Sequence, residues 1–245
     1  MKWVMLFFVS AFFAFPVAAA DDWRAKTENA AYIHRAIKQV TDVMVYDIYS
    51  PPVSSRTYAY ISIAGYEAAL SAHTSFKTLS TQLKGMQRSP ATDKEYSATI
   101  AAVHAILTVA KALVISEEKI NGFYKKIMDE LRSSGIPASI FDQSVDYGQH
   151  VAAHILAYAS KDNYKETRAL SRYAPIGDLG SWKPTPPAYM KAVEPHWNKI
   201  RPFLLDSAQQ FKPLTAIPFS GDKNSAFYKD ALAVRDIGLK LTQEQ

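Results

Sequence analysis

The sequence has 245 residues but no cysteine and only nine glycines. Without cysteine, the chain forms no disulfide, no thiolate metal site and no cysteine-linked lipid anchor. So few glycines provide no glycine-rich phosphate-binding loop, and the Gly-x-Ser-x-Gly motif of many serine hydrolases is missing. The stability of the fold must therefore come from a buried core, which a chain of this length can form as one large domain.

The sequence also lacks a basic stripe, a run of alternating polar and apolar residues, and an internal repeat. Its formal net charge of +5 is spread along the chain, and we therefore predict no nucleic-acid partner. Because no segment has the two-residue period of a β-strand, the sequence predicts an all-α fold.

The first 20 residues have the three parts of a secretory signal peptide. A basic residue, Lys2, precedes an apolar run from Trp3 to Val17, and three alanines end at Ala20. The run is shorter than the about 20 residues that cross a membrane as a helix. We therefore predict an exported protein, periplasmic or secreted, without a stable membrane span once the mature chain begins at Asp21. An uncleaved N-terminal anchor is the alternative.

Apolar residues recur at three- and four-residue steps in most of the remaining chain, as in amphipathic helices. The pattern predicts a bundle of about six to seven helices, of which the second is apolar nearly all round and is expected to be central. Ser116 is expected to cap the fourth helix and Gly135 to end it. The predicted helices cover residues 24–48, 53–72, 94–115, 117–134, 137–159, 190–201 and 224–243.

Residues 182–203 interrupt the helical pattern and are rich in proline and tryptophan. Prolines fix φ and remove backbone donors, so this segment is expected to run extended. Large aromatic side chains are costly to leave in water along a flexible linker. We therefore predict a stiff strap, defined as residues 182–203, whose aromatic rings insert into the helical body. These rings belong to Trp182, Tyr189, Trp197 and Phe203.

One spacing in the sequence is typical of a metal site. Asp146, His150 and His154 follow one another at four-residue steps, which places them on one face of the fifth helix. Two of the three can reach one ion, and His150 and His154 are the metal candidates. No matching cluster elsewhere completes a site, so we interpret the stripe as a solvated face and predict no metal, cofactor or catalytic site.

A second group of residues combines positive charge with the strap. Arg201, Lys199, His196 and Lys223 would suit a phosphate or carboxylate if they came together. However, one arginine without a base or nucleophile is not an active site. The favoured interpretation is that Arg201 pairs with Glu194 or with backbone carbonyls and fixes the strap.

Several motifs, taken in order, resemble the vanadium-dependent haloperoxidase branch of the PAP2 acid-phosphatase superfamily, in particular its secreted bacterial members. The resemblance runs from about Ala30 to Gln245. Each motif is weak alone, and their joint order makes the match specific. The motifs are residues 40–52, residues 58–69, Trp182-x-Pro-Thr-Pro-Pro187, Glu194-Pro-His-Trp197, Arg201-Pro-Phe203, and Phe219-Ser220 through Phe227-Tyr228.

The resemblance implies an all-helical fold and, in a complete protein, a pocket of lysine, arginine, serine and histidine residues that holds vanadate or a substrate phosphate. The motifs that build this pocket in the family are absent here. The position seven before Arg201 is Glu194 rather than lysine, and Ser220-Gly221 is followed by Asp222 rather than histidine. No catalytic residue of the family can therefore be assigned in this chain.

The last predicted helix is still in phase at Leu241 and has no glycine or asparagine stop. We therefore expect residues 21–245 to be the N-terminal helical half of a haloperoxidase- or PAP2-like domain, whose partner is a C-terminal catalytic half that binds vanadate or phosphate. The chain alone is expected to be inactive, and phosphatase and haloperoxidase activity stay open for the whole protein. The alternatives are a stand-alone periplasmic helical binding module and a metal-binding helical protein that uses His150 and His154.

Overall fold

The computed structural model describes residues 23–70 and 75–244, so the predicted signal peptide lies outside the described residues. Every regular element in the described part is helical, which confirms the all-α prediction. None of the described helices is long and apolar enough to cross a membrane. The α-helices are α1 (Trp23–Thr27), α2 (Ala30–Tyr46), α3 (Pro51–Leu70), α4 (Ala98–Leu113), α5 (Glu117–Arg132), α6 (Ala138–Ala159), α7 (Tyr164–Thr167) and α8 (Ala226–Gly238), with 3₁₀ turns at Leu79–Thr81 and Trp197–Lys199.

The chain divides into two compact units. Unit 1 contains α1, α2, α4, α5, the larger part of α3 and residues 138–155 of α6. Unit 2 contains residues 50–56, 78–88 and 156–244, and therefore the start of α3, the end of α6, α7, α8 and the strap. Most of the buried apolar side chains belong to unit 1.

The centre of unit 1 is α4. Twelve of its 16 residues are buried, and it packs against α2 and α5. We expected α3 to be central, and this prediction was wrong. The tyrosine hydroxyls of α3 need polar partners. Tyr58 bonds the Thr41 hydroxyl, and Tyr66 donates to the Lys77 backbone oxygen. In contrast, α4 is built mainly from alanine and aliphatic residues, which have no such requirement.

Polar groups close the N-terminus of α4. Ser97 caps the helix by accepting the amide of Ile100, and the Glu28 carboxylate accepts from the Ser97 hydroxyl at 2.7 Å and from the Thr99 hydroxyl at 2.9 Å. A carboxylate at this end also interacts favourably with the helix dipole. Because Glu28 turns toward α4 and Asn29 caps α2, the predicted single helix over 24–48 breaks into α1 and α2 at these two residues.

Two glycines allow other helices to approach α4 closely. A Cβ atom on Gly148 of α6 would lie 2.6 Å from the backbone oxygen of Ala101, and one on Gly65 of α3 would lie 2.8 Å from the Cδ1 atom of Ile106. Both distances are shorter than van der Waals contact. At Gly148 the close atom belongs to the backbone and cannot move aside, whereas at Gly65 the Ile106 side chain would have to shift to admit a Cβ atom.

The end of α2 is joined to the start of α5 by Asp47. Its carboxylate accepts the amides of Ile115 and Ser116, both at 3.0 Å, and the Ser116 hydroxyl. Burial alone would raise the pKa of Asp47, but the hydrogen bonds from Ser116 and Ile115 hold it below its usual value. Ser116 does precede α5 as predicted, yet its side chain bonds Asp47 instead of the helix amides. Gly135 follows the end of α5 with φ of +92°.

Candidate functional site

The best-defined polar cluster of unit 2 is a buried ion pair between Arg56, in the first turns of α3, and Asp162, after α6. Arg56 Nε donates to Asp162 Oδ2 at 2.7 Å, and the two side chains are 10% and 3% exposed. The second carboxylate oxygen accepts the amide of Tyr164 at 2.9 Å, and the Arg56 guanidinium lies 4.3 Å from the centre of the Tyr164 ring. Both charges are therefore used to hold three segments of unit 2 together.

Arg201, in the strap, is attached to the same region. Its guanidinium donates to the backbone oxygens of Tyr158 at 3.1 Å and Lys161 at 3.4 Å, and it lies 3.7 Å from the centre of the Tyr158 ring. Its amide donates to the Asp162 backbone oxygen at 2.9 Å. The structure thus confirms that Arg201 bonds backbone carbonyls and fixes the strap, while Glu194 pairs with Arg168 instead.

The other three cations of the suggested anionic-ligand site do not join Arg201. His196 Nε2 donates to the Ser171 backbone oxygen at 2.7 Å, and the Lys199 backbone oxygen accepts from Asn163. Lys223 is exposed. These contacts orient the strap, and they leave no convergent set of donors for a phosphate.

The aromatic rings of the strap are less buried than predicted. Trp182 is 50% exposed and Tyr189 is 62% exposed, so the prediction that they insert into the helical body was wrong. Trp197 and Phe203 are half-buried, and the Trp197 ring contacts the Tyr164 ring edge to face at 6.4 Å. The Trp182 ring packs edge to face against the Tyr173 ring at 5.6 Å, but Tyr173 is itself exposed, so this pair stays at the surface.

The exposed part of the strap folds back on itself. Tyr189 N donates to the Thr185 backbone oxygen at 3.0 Å across a cis peptide bond between Pro186 and Pro187. The turn encloses a pocket of about 570 Å³, lined mainly by apolar side chains between Trp182 and Val193. Lys191 is the only charged residue in its lining, so the pocket suits an apolar group rather than an ion.

Unit 1 contains a second pocket, of about 510 Å³, between α4, α5 and α6. At its base, His104 Nδ1 lies 2.8 Å from the Tyr124 hydroxyl, and Nε2 lies 3.1 Å from Gln149 Oε1. Burial lowers the pKa of His104 and raises the pKa of Tyr124, so both are neutral near pH 7. In the neutral state, Nε2–H donates to Gln149 and Nδ1 accepts from Tyr124, so the imidazole is not free to act as a base.

The residues of the metal-like spacing lie along the surface of α6. His150 Nδ1 lies 4.0 Å from Asp146 Oδ2 on the surface of α6, and both side chains are more than 60% exposed. His154 is half-buried one turn further along. Over residues 23–70 and 75–244, no group of three histidine or carboxylate residues is placed to bind one ion.

The described residues do not fit vanadate or a phosphate either. An oxyanion of this charge needs several convergent cationic and backbone donors. The two guanidinium groups packed within unit 2, those of Arg56 and Arg201, donate to Asp162 and to backbone carbonyls.

The last third of the chain has a surface with many exposed apolar side chains. None of the 77 residues from 168 to 244 is buried. Their exposed large apolar side chains form a set that we call the uncovered apolar segment. Its members are Leu170, Tyr173, Ile176, Leu179, Trp182, Tyr189, Met190, Val193, Leu204, Leu205, Phe211, Leu214, Ile217, Phe219, Val234, Ile237, Leu239 and Leu241.

In α8 this surface has the form of an amphipathic helix. Phe227, Val234 and Ile237 fall on one side at helical spacing, and Val234 and Ile237 are 72% and 64% exposed. The helix ends at Gly238, so the prediction that it continues in phase through Leu241 to residue 243 was wrong. An exposed apolar face on a helix of this kind is typical of an interface.

One structural ion pair of unit 2, Arg56–Asp162, was not predicted from the sequence. Arg56 carried a detectable signal, because it is one of only two charges in an otherwise apolar helix. Asp162 carried none, since it lies in a segment without periodicity and its burial depends on Arg56 and Tyr164.

No protein-family model and no curated protein matches this sequence. Among solved structures, the chain is similar to one described as the crystal structure of the first bacterial vanadium-dependent iodoperoxidase, with a TM-score of 0.82 and 39% sequence identity. The match covers 87% of this chain and 52% of the iodoperoxidase chain, so the chain spans about half the length of that protein. By fold and sequence, therefore, this chain resembles about half of a vanadium-dependent iodoperoxidase, which supports its resemblance to the PAP2/vanadium-haloperoxidase superfamily.

Proposed function

We propose that this chain is the non-catalytic helical part of an exported enzyme of the PAP2/vanadium-haloperoxidase type. In the whole protein it packs against a catalytic half that holds the oxyanion pocket, where vanadate supports halide oxidation or a phosphate ester is hydrolysed. The residues described here contribute the scaffold and part of the wall between the halves, and the chain alone has neither activity.

The observation that carries this proposal is the uncovered apolar segment. A region of 77 residues without one buried side chain does not bury enough apolar surface to offset the conformational entropy lost on ordering it. Its ordered structure is therefore expected to depend on a covering partner. The match to about half of an iodoperoxidase supports a partner from the same fold.

The experiment compares amide hydrogen exchange in this chain and in the complete protein. The complete protein is expressed from the gene together with any coding sequence that continues in frame beyond codon 245. We expect residues 168–244 to exchange rapidly in the chain alone and to gain protection in the complete protein, whereas α4 stays protected in both. Equal protection of residues 168–244 and α4 in the chain alone would contradict the proposal, as would a gene with no further coding sequence.

Export and cofactor binding have separate tests. Mass spectrometry of the protein from the periplasm or culture medium is expected to show an N-terminus at Asp21. Vanadate or phosphate binding, measured by calorimetry, is expected for the complete protein and absent for this chain. Tight vanadate binding by residues 21–245 would show that the oxyanion site lies within them and that the division of roles is wrong.

A further inference from the structure

The pocket of unit 1 between α4, α5 and α6, which we call the α5–α6 groove, has a polar end and an apolar middle. Its volume of about 510 Å³ falls within the about 300–1,000 Å³ that is usual for small-molecule sites. His104, Tyr124 and Gln149 line the polar end, one from each of the three helices. Every residue that lines the groove belongs to unit 1.

The polar end is held in one arrangement by His104, which is 7% exposed at the bottom of the groove. Its two ring nitrogens bond the Tyr124 hydroxyl at 2.8 Å and Gln149 Oε1 at 3.1 Å. Because burial keeps the imidazole neutral near pH 7, Tyr124 donates its proton to Nδ1 and Gln149 turns its oxygen toward Nε2–H. The orientations of both groove-lining groups are therefore fixed.

Both partners of His104 keep hydrogen-bonding capacity for a ligand. The Tyr124 oxygen has given its proton to the imidazole, so it can still accept, whereas Gln149 Nε2 carries two donor hydrogens. Since Nδ1 and Nε2 point away from each other across the ring, their partners stand too far apart for one ligand atom to reach both. A carboxamide has a donor nitrogen and an acceptor oxygen on one planar group, so it can contact both.

The middle of the groove is apolar. Met128 lies one turn beyond Tyr124 on α5, and Val145 lies one turn before Gln149 on α6, about 6 Å from the polar end along either helix. Phe141 lies one turn further along α6, and Met128 and Phe141 are 6% and 3% exposed. A buried thioether and a ring edge suit an aromatic ring or an alkyl chain.

The charges at the rim disfavour an anion. Three carboxylates and two cations line the groove, those of Asp129, Asp142, Asp146, Lys125 and Arg132. The Arg132 guanidinium donates to Asp142 at 3.3 Å and lies 4.1 Å from the centre of the Phe141 ring, so it is already engaged. With a neutral imidazole at the base as well, the groove suits an uncharged ligand.

We infer that the α5–α6 groove binds a small uncharged carboxamide that carries an aromatic ring or an alkyl chain. The amide nitrogen donates to the Tyr124 oxygen, and the amide oxygen accepts from Gln149 Nε2. The ring or chain lies against Met128 and Phe141. The site is contained in unit 1, so this inference does not depend on the proposed function.

The test adds benzamide to this chain, labelled with ¹³C at the methionine methyl groups and observed by NMR. Met128 reports on the α5–α6 groove, and Met190 reports on the separate pocket of the strap. We expect a saturable shift of the Met128 signal, assigned with Met128→Leu, and no shift of the Met190 signal. The dissociation constant is expected to be on the order of 1 mM for a ligand of this size.

Two analogues of the same shape and two variants of the same kind complete the test. Acetophenone lacks the N–H group and is expected to bind about two- to tenfold more weakly, as for one lost hydrogen bond. Benzoate is expected to bind more weakly than acetophenone, because it brings a negative charge beside the carboxylates. Gln149→Leu is expected to weaken benzamide by about two- to tenfold, and Gln143→Leu, on α6 outside the groove lining, to leave it unchanged.

Four outcomes would overturn the inference. A shift at Met190 without one at Met128 places benzamide in the strap pocket. Equal binding of acetophenone and benzamide shows that the N–H group is not recognised, and benzoate binding as tightly as benzamide contradicts the charge argument. Equal losses from Gln149→Leu and Gln143→Leu exclude the Gln149 contact. If Gln149→Leu does not fold, the ligand series on the unchanged chain still decides.

Discussion

Replacing Asp162 by asparagine tests whether the buried ion pair holds unit 2 together. The change keeps the size of the side chain and an acceptor for the Tyr164 amide, but it leaves the Arg56 guanidinium without its countercharge. The two side chains are 10% and 3% exposed, so solvent cannot replace the lost partner. Breaking such a pair from one side costs about 3–5 kcal/mol.

The assay is thermal and urea-induced unfolding followed by circular dichroism. For a chain of this size, a loss of about 3–5 kcal/mol lowers the melting temperature by about 6–20 °C. The matched control is Asp142→Asn, whose carboxylate is 66% exposed and lies 3.3 Å from Arg132. Breaking that exposed pair is expected to cost about 0–1 kcal/mol.

A second variant tests the physical cause. If the cost of Asp162→Asn comes from an uncompensated buried charge, Arg56→Met combined with Asp162→Asn is expected to be more stable than Asp162→Asn alone. The reasoning is refuted if Asp162→Asn costs no more than Asp142→Asn. It is also refuted if the double variant is less stable than the single variant, because the guanidinium would then contribute without its partner.

Two further predictions concern unit 1. Gly148→Ala is expected to destabilise the protein by about 1–3 kcal/mol, because the added Cβ atom meets the backbone of Ala101 at 2.6 Å. The control Gly122→Ala, in the exposed part of α5, is expected to stabilise the protein by about 0.5–1 kcal/mol. Equal effects of the two variants on urea unfolding would contradict the tight crossing. Burial lowers the pKa of His104 in the folded state, so the unfolded chain takes up its proton first as pH falls. The free energy of unfolding therefore keeps the full contribution of His104 above about pH 6.5. It decreases below that pH, toward the folded-state pKa, by at most about 1.4 kcal/mol per pH unit. His104→Gln is expected to flatten the stability profile between pH 7 and 5, and an unchanged profile would show that another group causes the dependence.

The helices of unit 1 were predictable because their apolar residues repeat at helical spacing and their ends carry local signals. Pro51 opens α3, and Pro137 precedes α6. The break between α1 and α2 was missed although Asn29 is a favoured cap, since the periodicity continues across it. The greater burial of α4 over α3 depends on how five helices pack, which a single helix pattern does not reveal.

The strap and its surroundings were predictable only in part. The absence of a base or nucleophile indicated that Arg201 bonds backbone carbonyls. The proline content predicted an extended segment, but residues 185–189 fold back in a turn, and the predicted helix over 190–201 is reduced to a 3₁₀ turn at Trp197–Lys199. Burial of Trp182 and Tyr189 was predicted from ring size alone. Ring size indicates that a side chain needs a partner, but it does not indicate whether that partner lies in the same chain.

The all-round burial of α4 has a consequence for the divergence of the superfamily. A helix with one side in water accumulates substitutions on that side at little cost, whereas α4 has almost no such side, with 12 of 16 residues buried. Its crossing with α6 is also tight, because a Cβ atom on Gly148 would lie 2.6 Å from the Ala101 backbone oxygen. When this chain is aligned with more distant relatives, we expect α4 to be the helix that has changed least, and to serve as the fixed point for placing the others.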